Sequence, residues 1–324
     1  MFSAVTHQTA QDDAYHAMAG WSVSQWKLLA DHPEEFYGFH VAHPPLWEFE
    51  RTPAIEFGTK VHGRLLEPET FSARYPEAGP CAAVLKSGKN AGQPCGNAAS
   101  NRTRYGYWYC GVHAKSAPEP SEPVECLTSV DAARLNSIVR AAHADPKVYG
   151  CLSAPGEVEY SLFGTHAETG LQVRGRLDKW LEYGGGRIIV DLKTCAHDPA
   201  NARLVAATCL ARRYHLQAAA YLDLMAAHGK PCDGFAFVFI RTSPPFNSCL
   251  WLLDDDSLNL GRLHNAIALR NLAERLASGD WTGPCHGKEN YCSLPKWAFE
   301  ADLTQLDANT AAYAEFTAYA GEST

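Results

Sequence analysis

Long hydrophobic runs are the first feature that this 324-residue sequence lacks. The longest candidate, residues 235–240, is far shorter than the roughly 20 apolar residues that a membrane-spanning helix needs. The first residues also lack the basic and then apolar pattern of a signal peptide. We therefore expect a cytoplasmic protein with no membrane association. There, its 11 cysteines should be reduced thiols or metal ligands rather than disulfides.

An excess of positive charge is also missing. Lys and Arg number 28 against 36 Asp and Glu, which gives a formal net charge of −8. This balance argues against a protein that coats nucleic acid without regard to sequence, because that class needs an overall basic surface. It is compatible with an enzyme in which carboxylates surround a metal while a local basic groove contacts phosphates.

What the sequence does contain is a pair of predicted strands at 171–194, joined by a glycine-rich turn. We predict that the first strand ends at Asp178. On the second, alternation should make Asp191 and Lys193 project together while Leu192 points into the core. Two carboxylates that hold Mg²⁺, with a lysine that positions or helps to deprotonate water, suit metal-assisted phosphodiester hydrolysis. An isolated Asp-x-Lys more often marks a solvated strand edge.

A second pattern lies in residues 79–116, which are rich in Gly, Asn and Lys and cannot bury a core of their own. Cys81, Cys95, Cys110 and His113 have the spacing Cys-x13-Cys-x14-Cys-x2-His, which favours a tetrahedral structural Zn²⁺ over unrelated loop cysteines. The neighbouring arginines and aromatics could contact nucleic acid or merely cover the metal site. These are Arg102, Arg104, Tyr105, Tyr107, Trp108 and Tyr109.

The first of these patterns resembles the PD-(D/E)XK nuclease superfamily, and within it the exodeoxyribonuclease VIII (RecE-type) branch. The resemblance extends over about 21–297, with 79–116 as an insertion. A predicted helix after the strand pair carries Gln217 and Tyr221, which are four apart and so share one helix face. They match the Gln-x-x-x-Tyr signature of this group, where such side chains bracket the metal site and contact the DNA strand.

The resemblance also implies roles for residues farther away in the sequence. His62, in a Gly-x-x-x-His element on a helix predicted at 53–66, would be a metal ligand with Asp178, Asp191 and the Leu192 carbonyl. A lone helical histidine is otherwise more often a core or surface residue.

Glu159 would be a site acid or lie just behind one, with Glu157 less favoured, although a charged edge strand explains both equally. Three arginines near the site in sequence would contact DNA, unless they are scattered surface charges: Arg174, Arg176 and Arg213.

The predicted fold is α/β: a PD-(D/E)XK (restriction-endonuclease-like) core with a central mixed sheet flanked by helices, and a small zinc-binding insertion. Residues 14–78 and 124–300 would form the nuclease domain and 79–116 the zinc-knuckle-like insertion. We expect a poorly ordered start at 1–13 and a C-terminal tail at 301–324.

The function implied by the resemblance is a Mg²⁺-dependent (or Mn²⁺-dependent) exodeoxyribonuclease acting on duplex DNA ends. It would work 5′→3′ and leave a 3′ single strand for phage-type annealing recombination with a RecT-like protein, in a ring-shaped homo-oligomer as related exonucleases form. Two alternatives stay open. One is a PD-(D/E)XK endonuclease whose zinc segment selects the substrate. The other is a catalytically silent DNA-end-binding protein, which the intact Asp…Asp-x-Lys set disfavours.

Overall fold

A computed structural model gives the structure of the protein and describes residues 1–8, 15, 17–97 and 99–293. The chain divides into two compact units, Met1–Trp281 and Thr282–Thr324. The helices and strands below belong to the first unit. In the second, the described residues include a turn in which His286 N donates to the Gly283 carbonyl oxygen at 3.1 Å.

Ten strands are described. They are β1 Phe2–His7, β2 Trp21–Ser22, β3 Asn101–Thr103, β4 Trp108–Tyr109, β5 Ser121–Pro123, β6 Gly156–His166, β7 Gln172–Tyr183, β8 Gly186–Cys195, β9 Gly234–Arg241 and β10 Ser248–Leu252. The described helices are α1 Val23–Asp31, α2 Pro33–His40, α3 Pro53–Leu66, α4 Pro68–Arg74, α5 Gly111–Ala114, α6 Ser129–Ala144, α7 Pro146–Ser153, α8 Ala202–Ala211, α9 Tyr214–Ala227 and α10 Asp255–Ser278. Among these residues no helix is both long and apolar enough to cross a membrane.

The central sheet is mixed, as the sequence predicts. Its strand order is β1-β6-β7-β8-β9-β10, with β2 paired beside β7. Strands β6, β7 and β8 form an antiparallel meander, and β9 lies parallel to β8. A parallel neighbour needs a long crossover, which helices α8 and α9 supply.

Helices cover both faces of the sheet and bury two apolar clusters. On one face, Ile189 and Phe237 pack with side chains of α9 and α10. On the other, Val190 and Leu192 pack with α3 and α6. The central strands β8 and β9 are therefore nearly continuous apolar runs, because the side chains on both of their faces are buried. On these two strands Asp191 is the buried charged residue, with only 1% of its surface exposed.

Helix α3 has the predicted bounds, Pro53–Leu66. Its start follows from local chemistry: Pro53 occupies the first turn, and the Thr52 hydroxyl accepts a hydrogen bond from Ile55 N. Phe57 and Val61 are buried on the face that packs against the sheet. The helix thereby holds the next residue, His62, beside β7.

The insertion contains its own small sheet, in the order β4-β3-β5. Strand β5 comes from the proline-rich stretch after residue 116, which pairs with β3. Beyond it, Glu125 forms an ion pair of 3.4 Å with Lys60, whose side chain is only 11% exposed. The base of the insertion is therefore attached to α3.

Three sequence-based expectations need correction or restriction. The irregular start is wrong for Phe2–His7, because this segment pairs with β6 and buries Phe2. Strand β7 continues past Asp178 to Tyr183, since its pairing with β8 extends to a turn at Gly184 and Gly185. Both glycines have positive φ, 62° and 86°, which suits a tight hairpin. Residues 9–14, 294–300 and the expected tail 301–324 lie outside the described residues.

Candidate active site

The candidate site lies where β7 and β8 separate. Their pairing ends at Lys179↔Val190. Past this point the Leu192 N–H donates to Asp178 Oδ2 at 2.8 Å, so a side chain replaces the missing backbone partner. Farther along, the edge of β7 pairs instead with β2, at Val173 and Arg174. Helix α1 begins directly after β2, and its buried residues Val23 and Trp26 pack in the cluster on the α9 side of the sheet.

Strand β7 also changes face here. Leu177 belongs to the cluster under α9, whereas Leu181 belongs to the cluster under α3. In a regular strand two residues four apart share one face. Strand β6 changes face beside this point: Val158 packs in the cluster under α3 and Tyr160 in the cluster under α9. Glu159, between them, has a φ of 51°. Asp178 therefore lies at the point where β7 changes face, and it is not deeply buried under the helices on either side of the sheet.

Four of the predicted site residues lie close together at this point: His62, Asp178, Asp191 and Lys193. The Lys193 ammonium nitrogen lies 2.6 Å from Asp191 Oδ2, and Asp178 Oδ2 lies 3.3 Å from His62 Nδ1. Gln217 links the first pair, because its amide nitrogen donates to Asp191 Oδ1 at 2.7 Å and its amide oxygen accepts from Lys193 at 3.2 Å. Strand alternation places Leu192 in the opposite core, fully buried.

Burial is the largest single influence on the pKa of each member of the charged pair. It raises the pKa of Asp191 to about 6; Lys193 opposes this shift and Asp178 adds to it. For Lys193 burial disfavours the charge, but the neighbouring Asp191 and Asp178 carboxylates outweigh burial and raise its pKa. Lys193 is therefore an ammonium at neutral pH. Its charge does not fully offset the burial of Asp191, so a further cation would stabilise the ionised carboxylate.

The donor set fits a hard divalent cation. Asp191 Oδ2 is buried and accepts no well-aligned hydrogen bond from the described part of the chain, although Lys193 lies close by. The N–H and C=O of one strand residue point to the same edge. The Leu192 carbonyl therefore faces the side on which its N–H meets Asp178. Carboxylate and carbonyl oxygens with a histidine nitrogen are ligands that Mg²⁺ and Mn²⁺ accept.

Tyr221 lies one helical turn after Gln217 and is 8% exposed. Its ring packs on Gly175 of β7, where an added Cβ would lie 2.8 Å from a ring carbon. Burial, reinforced by Tyr15, Asp191 and Asp178, raises the pKa of Tyr221 well above its usual value. The phenol is therefore neutral and can donate a hydrogen bond near the two carboxylates.

The other predicted residues lie beside this centre or away from it. Glu159 forms a 2.8 Å ion pair with Arg176. Arg174 is 7% exposed and donates to the carbonyl of Tyr15 at 2.7 Å, so its guanidinium holds the N-terminal segment and does not lie open to a phosphate. Arg213 forms an ion pair with Asp31 at the end of α1. We therefore leave Arg174 out of the expected DNA contacts.

Lys27 of α1 also lies close to this centre and is not among the residues predicted for it. The ammonium groups of Lys27 and Lys193 lie 5.3 and 4.6 Å from the centre of the Tyr214 ring. Burial, followed by repulsion from Lys193, lowers the pKa of Lys27 to about 7. A signal was available, because Lys27 is four residues from buried Val23 and so lies toward the packed side of the helix.

The insertion brings its four predicted ligands together. The ligand atoms of Cys81, Cys95, Cys110 and His113 all lie within 4.8 Å of one another. His113 Nδ1 is 3.6 Å from Cys81 Sγ and 3.3 Å from Cys110 Sγ. A tetrahedral Zn²⁺ with ordinary bond lengths separates sulfur and nitrogen ligands by about 3.5 Å, so the set fits zinc.

The Cys110 thiol is prepared for ionisation. Burial opposes it, but hydrogen bonds from the backbone N–H groups of His113 and Val112, and from the Cys81 and His113 side chains, lower the pKa of Cys110 to about 6. A thiolate at neutral pH is the form that binds metal.

The sequence and fold were compared with known proteins. A family model described as a PDDEXK-like domain of unknown function (DUF3799) matches residues 22–295. A crystal structure of a "Putative exonuclease" from Eubacterium rectale has a TM-score of 0.53 and 15% identity, covering 91% of this chain and 99% of the other. At that identity the likeness shows the fold.

The crystal structure of SSO0001 has a TM-score of 0.26 and 14% identity, and the match covers 43% of this chain and 60% of that one. A match this weak does not show a shared fold. Among curated proteins, none matches the sequence.

Proposed function

Because the chain belongs to the PDDEXK-like domain family (DUF3799), we propose that it is a metal-dependent nuclease that hydrolyses DNA phosphodiester bonds. The observation that supports this most is the state of Asp191. Its Oδ2 atom is buried, has no aligned hydrogen-bond donor among the described residues, and lies 2.6 Å from the Lys193 ammonium. A buried carboxylate with one oxygen left for a cation is a costly feature that a purely structural role would not require.

His62, Asp178, Asp191 and the Leu192 carbonyl would hold Mg²⁺ or Mn²⁺. When bound, such an ion acts as a Lewis acid that activates water and stabilises developing charge on the phosphate. The separation of β7 from β8 would supply the carboxylates from two strands, and α3 would supply the histidine.

Lys193 would orient the attacking water by donating a hydrogen bond. Its contact with Asp191 and its raised pKa favour this role over that of a base, since a protonated amine accepts no proton. Gln217 fixes the ammonium and the carboxylate relative to each other. Tyr221 would contribute a neutral donor toward the scissile strand. Lys27 would contribute a second positive charge there, because a bound phosphate would raise its pKa from about 7.

We further propose that the substrate is a duplex DNA end, digested 5′→3′ as in RecE-type exonucleases. The RecT-type partner, the recombination role and the ring assembly remain predictions of that resemblance. Of the arginines, Arg176 and Arg213 stay candidates for DNA contact, although each already has a carboxylate partner. Glu159 would act on the site through Arg176 instead of binding the metal.

The test is digestion of linear duplex labelled at either end, in Mg²⁺, beside a covalently closed circle of the same sequence. We expect loss of the linear DNA from its 5′ ends and an intact circle. Nicking of the circle would favour the endonuclease alternative. Unchanged linear DNA under all metals tried would contradict hydrolysis, and binding without cleavage would point to the silent DNA-end-binding protein.

For the insertion we propose a structural Zn²⁺ on Cys81, Cys95, Cys110 and His113, supported by the ligand spacing of 4.8 Å or less. Elemental analysis should give one zinc per chain, and Cys95→Ser should lose it. Cys249→Ser, which changes a cysteine on β10, should retain it. A zinc-free wild-type protein would contradict this assignment.

A further inference from the structure

The insertion differs in charge from the rest of the chain. Residues 79–116 contain five Lys or Arg and neither Asp nor Glu, in a protein whose formal net charge is −8. All five basic side chains are exposed: Lys86, Lys89, Arg102, Arg104 and Lys115. Within the described residues, Arg104 alone among them forms an ion pair, a long one of 3.8 Å to Glu119.

Two of these cations and two aromatic rings meet at the tip of the β3–β4 hairpin. The turn closes through hydrogen bonds between Thr103 and Tyr107. The Arg104 guanidinium lies 4.7 Å from the Tyr105 ring centre. Arg102 reaches back toward the same turn, because a Cβ on Gly106 would lie 3.6 Å from its guanidinium.

The aromatic residues of the hairpin fall into two groups. Tyr109 is 7% exposed and packs with the cysteines, and Trp108 packs partly against the same cluster. Tyr105 and Tyr107 are each 61% exposed. The first pair therefore covers the metal site, whereas the second pair is largely exposed to solvent at the tip.

The hairpin is anchored at its base. Cys110 directly follows β4, and the four-ligand cluster ties this point to Cys81 and Cys95. Two residues after β5, Glu125 pairs with Lys60, which lies two residues from His62 on the same helix. The base of the insertion is thereby linked to the helix that also carries a side chain of the candidate active site.

We propose that this hairpin tip, formed by Arg102, Arg104, Tyr105 and Tyr107, binds a single-stranded stretch of the DNA substrate. Guanidinium groups recognise phosphates, and exposed rings stack on bases, which expose their faces when unpaired. Digestion of one strand from a duplex end exposes such a stretch in the other strand. The inference rests on the proposed nuclease function, from which it takes DNA as the substrate. Its test measures binding and does not require cleavage.

The test measures binding without added divalent metal, so that no strand is cut. The probes are a labelled single strand, a blunt duplex and an RNA strand of the same sequence. Three double variants are compared with wild type: Arg102→Gln/Arg104→Gln, Tyr105→Ser/Tyr107→Ser, and the control Arg140→Gln/Lys147→Gln. The control removes the same charge from exposed positions on α6 and α7.

Both tip variants should weaken single-strand binding about tenfold or more, while blunt-duplex binding changes less than about threefold. The arginine variant should also reduce the slope of log affinity against log salt by about 1.4, at about 0.7 per lost phosphate contact on a single strand. The tyrosine variant should leave that slope unchanged, because stacking releases no counterions. Zinc content and melting temperature of all variants should match wild type.

Equal single-strand binding by wild type and both tip variants would overturn the inference, as would an equal loss in the control variant. A loss as large for blunt duplex, or a preference for RNA, would overturn the assignment to single-stranded DNA. These outcomes are separable from the proposed function. A protein that cuts DNA but binds it independently of the tip retains the nuclease assignment, whereas tip-dependent binding without any cleavage supports the tip alone.

Discussion

Gln217 donates a hydrogen bond of 2.7 Å to Asp191 Oδ1, and through its amide oxygen it also receives one from Lys193. The carboxylate and the ammonium come from one strand, two residues apart, and the amide comes from a helix laid across that strand. The relative position of the two charged groups therefore depends on a neutral side chain.

Gln217→Ala should lower kcat for DNA cleavage by roughly 10- to 100-fold. It leaves a buried carboxylate oxygen without its donor, which should also cost about 1–3 kcal/mol of stability. Steady-state kinetics and denaturant unfolding measure the two effects. Gln172→Ala, which removes an exposed glutamine from β7, is the matched control and should change neither. Wild-type kcat in Gln217→Ala would show that the link is not used.

Asp191 should make stability depend on pH in the Mg²⁺-free protein. Its pKa rises from 3.8 to about 6 on folding, so between these values the native state holds a proton that the unfolded state has released. The contribution of this group to stability therefore falls as pH rises through that window.

Asp191→Asn lacks this titration. Relative to wild type it should gain, between pH 4 and pH 7, roughly 1–3 kcal/mol in the free energy of unfolding. Denaturant unfolding at several pH values measures the gain, without chelators so that zinc is retained. Mg²⁺ should then stabilise wild type and not the variant. A stability difference that is independent of pH would contradict the raised pKa.

Gly175 is required by the position of Tyr221. In Gly175→Ala the new methyl group would lie 2.8 Å from the ring, which should cost roughly 1–3 kcal/mol and displace Tyr221. Gly234→Ala is the matched control, because its Cβ on β9 would meet its nearest neighbour at 3.8 Å. Adding Tyr221→Leu to Gly175→Ala should recover part of the stability, which thermal unfolding would show. Equal melting temperatures for the two alanine variants would contradict this packing.

Lys27→Met tests the residue that the sequence did not reveal. Removal of a second ammonium beside Lys193 should raise KM for DNA about 5- to 20-fold and lower kcat less, since the charge attracts phosphate but is not paired with Asp191. Lys147→Met, on the exposed side of α7, should leave KM unchanged. An unchanged KM in Lys27→Met would exclude a role in substrate binding.

The sequence predicts those parts of the fold and site that local periodicity and spacing determine. Helix α3 has the expected bounds, because a proline and a cap mark its start and an apolar face marks its length. Strand alternation correctly separates Asp191 and Lys193 from Leu192. The Cys-x2-His spacing at Cys110 likewise anticipates the four-ligand cluster.

The remaining features depend on contacts between distant segments, which periodicity does not record. The separation of β7 from β8, which turns Asp178 toward His62, involves a simultaneous reversal in β6. Arg174 is basic and near the site in sequence, yet it is used to hold backbone carbonyls of the N-terminal segment. Lys27 comes to the site because β2 pairs with β7 beyond the point where β8 separates, and α1 follows β2 directly in the chain.

The most direct measurement of the central claim is Mg²⁺-dependent nucleotide release from linear duplex by wild type and Lys193→Met, with Lys147→Met as control. The account predicts release by wild type and the control, and a loss of at least about a thousandfold in Lys193→Met, which should still fold and bind DNA. Equal rates in wild type and Lys193→Met, or release that does not require a divalent metal, would contradict it.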